Sequence, residues 1–215
     1  MITSKKHLEF YILADRMMNT GSFKLSIGQR IKSLFGMTPI LSFLKELRKV
    51  EYWDYRLSHS TPPQHIIYLI FRSIHKMRHS KLGRKCGFTI YPGVVDYGMS
   101  IPHWGTIVVG PGNRIGRYAL FHTSVCIPGG NRTIGDFLYM SAGSKITGKD
   151  IILGDCITVA SNSVCTKTVE ESNVLLAGMP AVVKAPMQRW TDRDGAEFAR
   201  RVEEIEKLKK AMGIE

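Results

Sequence analysis

Two histidines are the clearest candidates for acid–base chemistry in this sequence. His103 lies in the turn-like segment 102–105, and His122 follows 19 residues later. An imidazole exchanges protons near neutral pH, so a histidine held beside a hydroxyl group can act as its general base. From the residues alone, a structural role is equally open for both: a loop side chain, or a surface ring stacked on its neighbour.

An apolar residue returns about every sixth position through the middle of the chain. The ladder consists of Val109, Ile115, Phe121, Ile127, Ile134, Met140, Ile146, Leu153, Val159 and Cys165. This period is neither that of an α-helix nor that of an ordinary strand. It is typical of a parallel β-helix, in which three short strands make one coil. Two seven-residue steps predict one-residue insertions near 129–131 and 149–151. The period also allows the two histidines to lie on adjacent coils, about 5 Å apart.

The segments on either side of the ladder have helical patterns. Apolar residues recur at near-helical spacing before residue 50, and residues 64–80 read as a basic amphipathic helix. An apolar stripe runs along residues 191–213. The sequence therefore predicts a mainly β fold with a helical N-terminal domain (1–87), a β-helix domain (88–184) and a C-terminal helical tail (185–215).

The charge is concentrated before the ladder. Residues 1–88 carry 16 Lys and Arg against 5 Asp and Glu, whereas residues 89–215 carry 14 against 13. Such a basic part can face lipid headgroups, an anionic glycan carrier or nucleic acid, or simply form a solvated surface. The four cysteines lack metal-ligand spacing, so we expect reduced thiols and no metal site. With neither a secretory signal nor a long apolar run, a cytoplasmic location is expected.

Two stretches and the ladder between them carry a family resemblance. Residues 101–110 (IPHWGTIVVG), the ladder, and residues 177–181 (AGMPA) resemble hexapeptide-repeat acyltransferases of the serine acetyltransferase type, most closely those of bacterial surface and capsular polysaccharide clusters. The resemblance covers residues 88–184 well and the N-terminal part loosely. It implies a left-handed parallel β-helix, a homotrimer or a hexamer made of two trimers, and acetyl-CoA as co-substrate in clefts between prisms.

The resemblance also implies roles for individual residues. His103 occupies the position of the catalytic histidine and is expected to be the general base, with His122 binding the acceptor or sharing the proton. The residues expected to bind CoA are Ser141, Ala142, Gly143, Ala160, Ser161, Lys167, Gly178 and Pro180. Small residues let a ligand approach the backbone, and Lys167 offers a point charge to phosphate groups.

The chain departs from serine acetyltransferases where those enzymes hold serine. Residues 89–92 (TIYP) lack the aspartate that orients their catalytic histidine, which leaves Asp96 or a backbone carbonyl for that task. Their serine-binding loop is shortened here to residues 129–132 (GGNR). A sugar hydroxyl is therefore the favoured acceptor. The residues expected to contact it are Trp104, Tyr97, Asn131 and Arg132, although either aromatic ring can instead lie at a trimer interface.

The sequence favours an acetyl-CoA-dependent O-acetyltransferase that acts on a saccharide or lipid-linked glycan in surface polysaccharide assembly. The basic N-terminal domain would then contact the inner face of the membrane, and nucleic acid is not expected as a partner. Serine O-acetylation for cysteine synthesis and a non-catalytic trimeric scaffold remain as alternatives. A zinc lyase of the β-helical carbonic anhydrase type is disfavoured, because it needs three converging histidines and residues 88–184 contain two.

Overall fold

The chain folds as a parallel β-helix with α-helices on both sides of it in sequence. The structure, a computed structural model, describes residues 2–34 and 37–214, so residues 1, 35, 36 and 215 of the predicted helical segments lie outside the described part. Four helices precede the strands: α1 (Lys5–Thr20), α2 (Ile27–Leu34), α3 (Pro39–Ser58) and α4 (Pro62–Cys86). No helix among the described residues is both long and apolar enough to cross a bilayer.

Eleven short strands then wind into coils, followed by a terminal hairpin. The strands are β1 (Phe88–Ile90), β2 (Ile107–Val109), β3 (Arg114–Ile115), β4 (Leu120–Phe121), β5 (Val125–Ile127), β6 (Thr133–Ile134), β7 (Tyr139–Met140), β8 (Lys145–Ile146), β9 (Ile152–Leu153), β10 (Thr158–Val159), β11 (Val164–Cys165), β12 (Val174–Gly178) and β13 (Ala181–Pro186). Face 1 of the prism is β1-β2-β5-β8-β11, face 2 is β3-β6-β9, and face 3 is β4-β7-β10-β12, with β13 antiparallel at its edge.

The apolar ladder forms the core of this prism. All ten ladder residues are at most 4% exposed, and equivalent positions pair in parallel one coil apart, as Phe121 does with Met140. The connections 128–132 and 147–151 have five residues where the earlier connection 110–113 has four, which accounts for both seven-residue steps. The predicted fold class is confirmed, and the coil is consistent with a left-handed parallel β-helix.

The helix α3 covers the first coil of the prism. Phe43, Leu44 and Leu47 belong to the same buried cluster as the ladder, and the Phe43 ring meets Phe88 edge-on with centroids 5.2 Å apart. The apolar spacing of α3 therefore continues the prism core into the helical part.

A buried arginine ties the helices to the chain that leads to His103. Arg48 of α3 is fully buried, pairs with Asp15 of α1 at 2.7 Å, and donates to the carbonyl oxygens of Val95 and Asp96. The Asp15 carboxylate also accepts from the backbone N–H of Met99. Each partner satisfies the other's buried charge, so α1, α3 and residues 95–99 form one unit.

The C-terminal tail packs along the outside of face 3. It forms two helices, α5 (Trp190–Arg193) and α6 (Ala196–Ala211), rather than the single helix predicted over residues 191–213. Gly195 breaks the run with a φ of 131°. Trp190 is buried and its indole N–H donates to the carbonyl oxygen of Tyr118 at 2.9 Å. The apolar stripe thus covers the side of the prism, together with α1.

Candidate active site

The connections from face 3 to face 1 stack into a column that contains both histidines. We name this column the histidine corner; it comprises residues 101–106, 122–124, 141–144 and 160–163. Adjacent turns are joined by backbone hydrogen bonds of 3.0 Å, from Gly143 N–H to the Thr123 carbonyl and from Asn162 N–H to the Ala142 carbonyl. The corner is therefore a rigid edge built from the regular repeat of the coil.

One residue in each full turn of the corner has a left-handed backbone. The φ angles are 63° at Ser124, 74° at Gly143 and 58° at Asn162, three positions spaced 19 residues apart. A Cβ atom at Gly143 would overlap the side-chain oxygen of Asn162. Gly143 is thus required by the close stacking of the turns as well as by its own conformation.

The two imidazole rings lie on neighbouring turns of this corner. The His103 and His122 centroids are 6.5 Å apart and the rings are tilted by 31°. Two hydrogen bonds of about 2.8 Å to one oxygen atom span up to about 5.6 Å between nitrogen atoms, a length comparable to this separation of the rings. His103 is exposed, and its ring has no hydrogen-bond partner among residues 2–34 and 37–214.

His122 is held by groups from face 3 and from the tail. Its Nε2 atom lies 2.9 Å from the Tyr139 hydroxyl, and which of the two donates depends on the tautomer. The Arg193 guanidinium lies over the Tyr139 ring at 4.6 Å and pairs with Asp194 at 2.6 Å. The C-terminal tail therefore brings a carboxylate into the surroundings of His122.

The electrostatics of this cluster favour a neutral His122. Partial burial lowers its pKa below the ordinary value, the positive charge of a protonated His103 lowers it further, and Asp194 opposes both effects. Burial raises the pKa of Tyr139, so its hydroxyl stays protonated. The pair is thus a neutral imidazole bonded to a phenol, next to an exposed imidazole.

An asparagine of α1 fixes the chain immediately before His103. The side-chain oxygen of Asn19 accepts from Ile101 N–H at 2.9 Å, and its amide donates to the Met99 carbonyl at 2.8 Å. Because both ends of the amide bond to one short stretch, α1 sets the position of residues 99–101. The position of His103 relative to His122 therefore depends on how α1 packs against the prism.

A groove of about 290 Å³ is lined by Pro102 and Trp104, the chain neighbours of His103, although His103 itself is not among its lining residues. Thr20, Thr38 and Arg201 also line it. Trp104 is 69% exposed. An indole beside hydroxyl groups and a guanidinium is a surface suited to a sugar ring, which needs an apolar face and hydrogen bonds.

Most of the residues expected to bind CoA lie in or next to the histidine corner. Ser141, Ala142, Gly143, Ala160 and Ser161 occupy its successive turns and are exposed or half-buried. Gly178 follows them, with its N–H bonded to the Ser163 hydroxyl at 3.0 Å, and an exposed Pro180 comes after it.

Lys167 is exposed in the connection from face 1 to face 2, which is a different corner.

Three residues expected to contact the acceptor lie elsewhere in the chain. Tyr97 is only 4% exposed and bonds to Glu206 of α6, so the prediction that its ring is presented beside His103 is wrong. Arg132 is 1% exposed and donates to the Pro128 and Thr147 carbonyls, so it stabilises a connection between faces 1 and 2 rather than binding a ligand. Asn131 is exposed in that same connection, away from the histidines.

The sequence did not point to Tyr139, Asp194 or Asn19. Tyr139 had a usable signal: it is the outward neighbour of ladder residue Met140, on the coil after His122. Asp194 and Asn19 had none, because their place depends on how α5 and α1 pack on the prism. No group of three or more His, Cys, Asp and Glu side chains in the described part of the chain is placed to hold a metal ion.

Neither a protein-family model nor a curated protein sequence matches the chain. Among solved structures it is similar to a serine acetyltransferase in complex with CoA, at 17% identity over 83% of this chain and 84% of that one, with a TM-score of 0.46. It is also similar to the native serine acetyltransferase 1 from Entamoeba histolytica, at 13% identity over 79% of this chain and 87% of that one, with a TM-score of 0.40.

Proposed function

We propose that this protein is an acetyl-CoA-dependent O-acetyltransferase of the hexapeptide-repeat class whose reaction takes place at the histidine corner. The observation that carries the proposal is the placement of His103 and His122 with centroids 6.5 Å apart, at the head of a column of small, accessible turn residues. The candidate general base, the second histidine and a row of accessible backbone that can bind a ligand therefore lie along one edge of the prism.

His103 acts as the general base in this proposal. Its imidazole removes the proton from the acceptor hydroxyl as that oxygen attacks the thioester carbonyl carbon, giving a tetrahedral intermediate. When the carbon–sulfur bond breaks, the electron pair leaves on sulfur and the protonated His103 returns the proton to it. The products are the O-acetyl ester and CoA with a free thiol. His122, neutral and bonded to Tyr139, hydrogen-bonds the same hydroxyl and orients it.

The turns of the histidine corner hold the CoA arm. Ser141, Ala142 and Gly143, then Ala160 and Ser161, expose backbone along one line because their side chains are small. Gly178 and Pro180 continue that line past the last turn, and Lys167 is the candidate cation for the phosphates, as the family resemblance implies.

A saccharide is the acceptor that the site favours. The exposed Trp104, next to His103 in the chain, lines a groove together with Thr20 and Thr38. Arg132, the cation of the shortened loop, is buried against backbone carbonyls and is not free to hold the carboxylate of an amino acid. We therefore place the reaction in surface polysaccharide assembly, on a sugar or a lipid-linked glycan, with serine as the alternative acceptor.

A homotrimer, or a hexamer of two trimers, completes the proposal. The tail and α1 cover the outside of face 3, whereas Val108, Cys126 and Val164 on the outside of face 1 are only half-buried within one chain. These short apolar side chains suit packing against a neighbouring prism. A trimer that binds no CoA would instead favour the non-catalytic scaffold.

The test is thiol release from acetyl-CoA with a panel of serine, nucleotide sugars and repeat-unit oligosaccharides. Thiol release that depends on a sugar supports the proposal. The Trp104→Ala variant should then show a higher KM for the sugar and an unchanged KM for acetyl-CoA. Tyr91→Ala is the matched control, because Tyr91 is another exposed aromatic residue that does not line the groove. Release with serine alone would identify the alternative, and no CoA binding would contradict acetyl transfer.

A further inference from the structure

The helix α4 presents apolar side chains to solvent over much of its length. Ile66, Ile70 and Met77 are 67%, 54% and 65% exposed, and Ile67 is 52% exposed. The opposite side of the helix packs on α3, where the Trp53 and Phe71 rings stack 4.9 Å apart and Arg72 pairs with Asp54. One long face of α4 is thus apolar and uncovered within the chain.

This face continues into a basic segment. At about 100° per residue, Lys81 and Arg84 fall within about 60° of Ile66 and Ile70 around the helix axis. Both are exposed, and neither forms an ion pair with another residue of the described part of the chain. We name the surface made by Ile66, Ile70, Met77, Lys81 and Arg84 the α4 outer face.

The charge of α4 has one sign throughout. Residues 62–86 contain six Lys and Arg and not one Asp or Glu. The acids that face α4 from α3 are engaged on its inner side, with Glu46 bonded to His75 and Asp54 to Arg72. A partner for the outer face must therefore accept apolar side chains and supply negative charge.

A second copy of this chain fits that requirement poorly. Pairing two outer faces in parallel sets Lys81 and Arg84 against the same cations, which is repulsive. Pairing the two faces antiparallel sets Lys81 and Arg84 against Ile66 and Ile70. The cations then lose their hydration without gaining a polar partner, which is unfavourable. An anionic bilayer supplies headgroup charge and an apolar layer at once, and an amphipathic basic helix lies in that interface.

We propose that the α4 outer face binds the surface of an anionic lipid bilayer. Ile66, Ile70 and Met77 insert between the headgroups, and Lys81 and Arg84 contact the lipid phosphates. The proposal is independent of acetyl transfer, because its test uses binding alone.

The test is co-sedimentation of the full chain with phosphatidylglycerol-rich vesicles and with pure phosphatidylcholine vesicles. We expect partition onto the anionic vesicles that falls as salt is added, because exposed charges are screened. Lys81→Gln/Arg84→Gln should weaken it by more than about tenfold, since each cation near an anionic surface adds to binding. Ile66→Ser/Ile70→Ser should weaken it to a similar degree.

Lys207→Gln/Lys210→Gln is the matched control, because it removes the same charge from the exposed side of α6. Equal partition of all variants, no preference for anionic vesicles, or no partition at all would overturn the proposal. A fall in oligomeric mass of Ile66→Ser/Ile70→Ser without vesicles, with partition intact, would assign the face to a second copy instead. All substituted positions are exposed, and circular dichroism verifies folding of each variant.

Discussion

The Tyr139 hydroxyl and the Nε2 atom of His122 lie 2.9 Å apart, which links the outer side of face 3 to the histidine corner. This bond occupies one nitrogen of the His122 ring and fixes the ring's orientation towards His103. A carboxylate performs that task in serine acetyltransferases, as the family resemblance implies. In this chain the group bonded to His122 is the hydroxyl of Tyr139, which is a neutral phenol.

Tyr139→Phe should lower kcat for acetyl transfer about 3- to 30-fold, because a loose His122 ring no longer orients the hydroxyl. The loss of one neutral hydrogen bond corresponds to about 1 ± 0.5 kcal/mol, and misplacement adds to it. The KM for acetyl-CoA should not change. Steady-state thiol release measures both values, and an unchanged kcat across the pH range would show that Tyr139 does not position His122.

Asp194→Asn should lower the pKa of His122. The negative charge of Asp194 favours the protonated imidazole, while burial and a protonated His103 disfavour it, so removing the carboxylate leaves only the lowering effects. The protonated fraction of His122 at a given pH should fall. Titration of the ring signals by NMR measures this, with Asp192→Asn on α5 as the control. A pKa that rises or stays constant would contradict the arrangement.

Ile146→Asp should prevent folding or cost more than about 4 kcal/mol, because an unpaired carboxylate has no solvation inside the prism. Thr133→Asp, at the exposed position one residue before ladder residue Ile134 on face 2, points outward and should change stability by less than about 1 kcal/mol. Urea unfolding compares the two variants. Equal stability would mean that the coil register is wrong by one residue.

Arg48→Ala should destabilise the protein by about 3–5 kcal/mol, since it leaves Asp15 buried without its partner. Lys49→Ala, which breaks a more exposed pair with Glu46, should cost about 0–1 kcal/mol. Thermal or urea unfolding measures both. Comparable small losses in the two variants would show that Arg48 does not join the helices to the prism.

The six-residue period was enough to predict the prism, because the period indicates directly which side chains point into the core. Val109 through Cys165 are buried as the period required, and the two longer steps fall where connections gain a residue. The same arithmetic put His103 and His122 one coil apart. Local pattern therefore determined the fold class and the proximity of the two rings.

Tertiary packing determined the rest of the site. Tyr97 read as an exposed ring, but α1 and α6 cover it. The position of Arg132 in the shortened loop predicts a contact with the acceptor, yet backbone carbonyls enclose this side chain. Asp194 comes within electrostatic range of His122 through the packing of α5 on the prism. None of these placements can be predicted from a periodic pattern in the sequence.

Replacing His103 with alanine tests the central claim most directly. His103→Ala should lower kcat for acetyl transfer by about 10²–10⁴-fold, because it removes the proposed general base, and CoA binding measured by calorimetry should persist. His59→Ala, at the exposed end of α3, is the control and should keep full activity. A His103→Ala protein with wild-type kcat would contradict the assignment of the histidine corner as the active site.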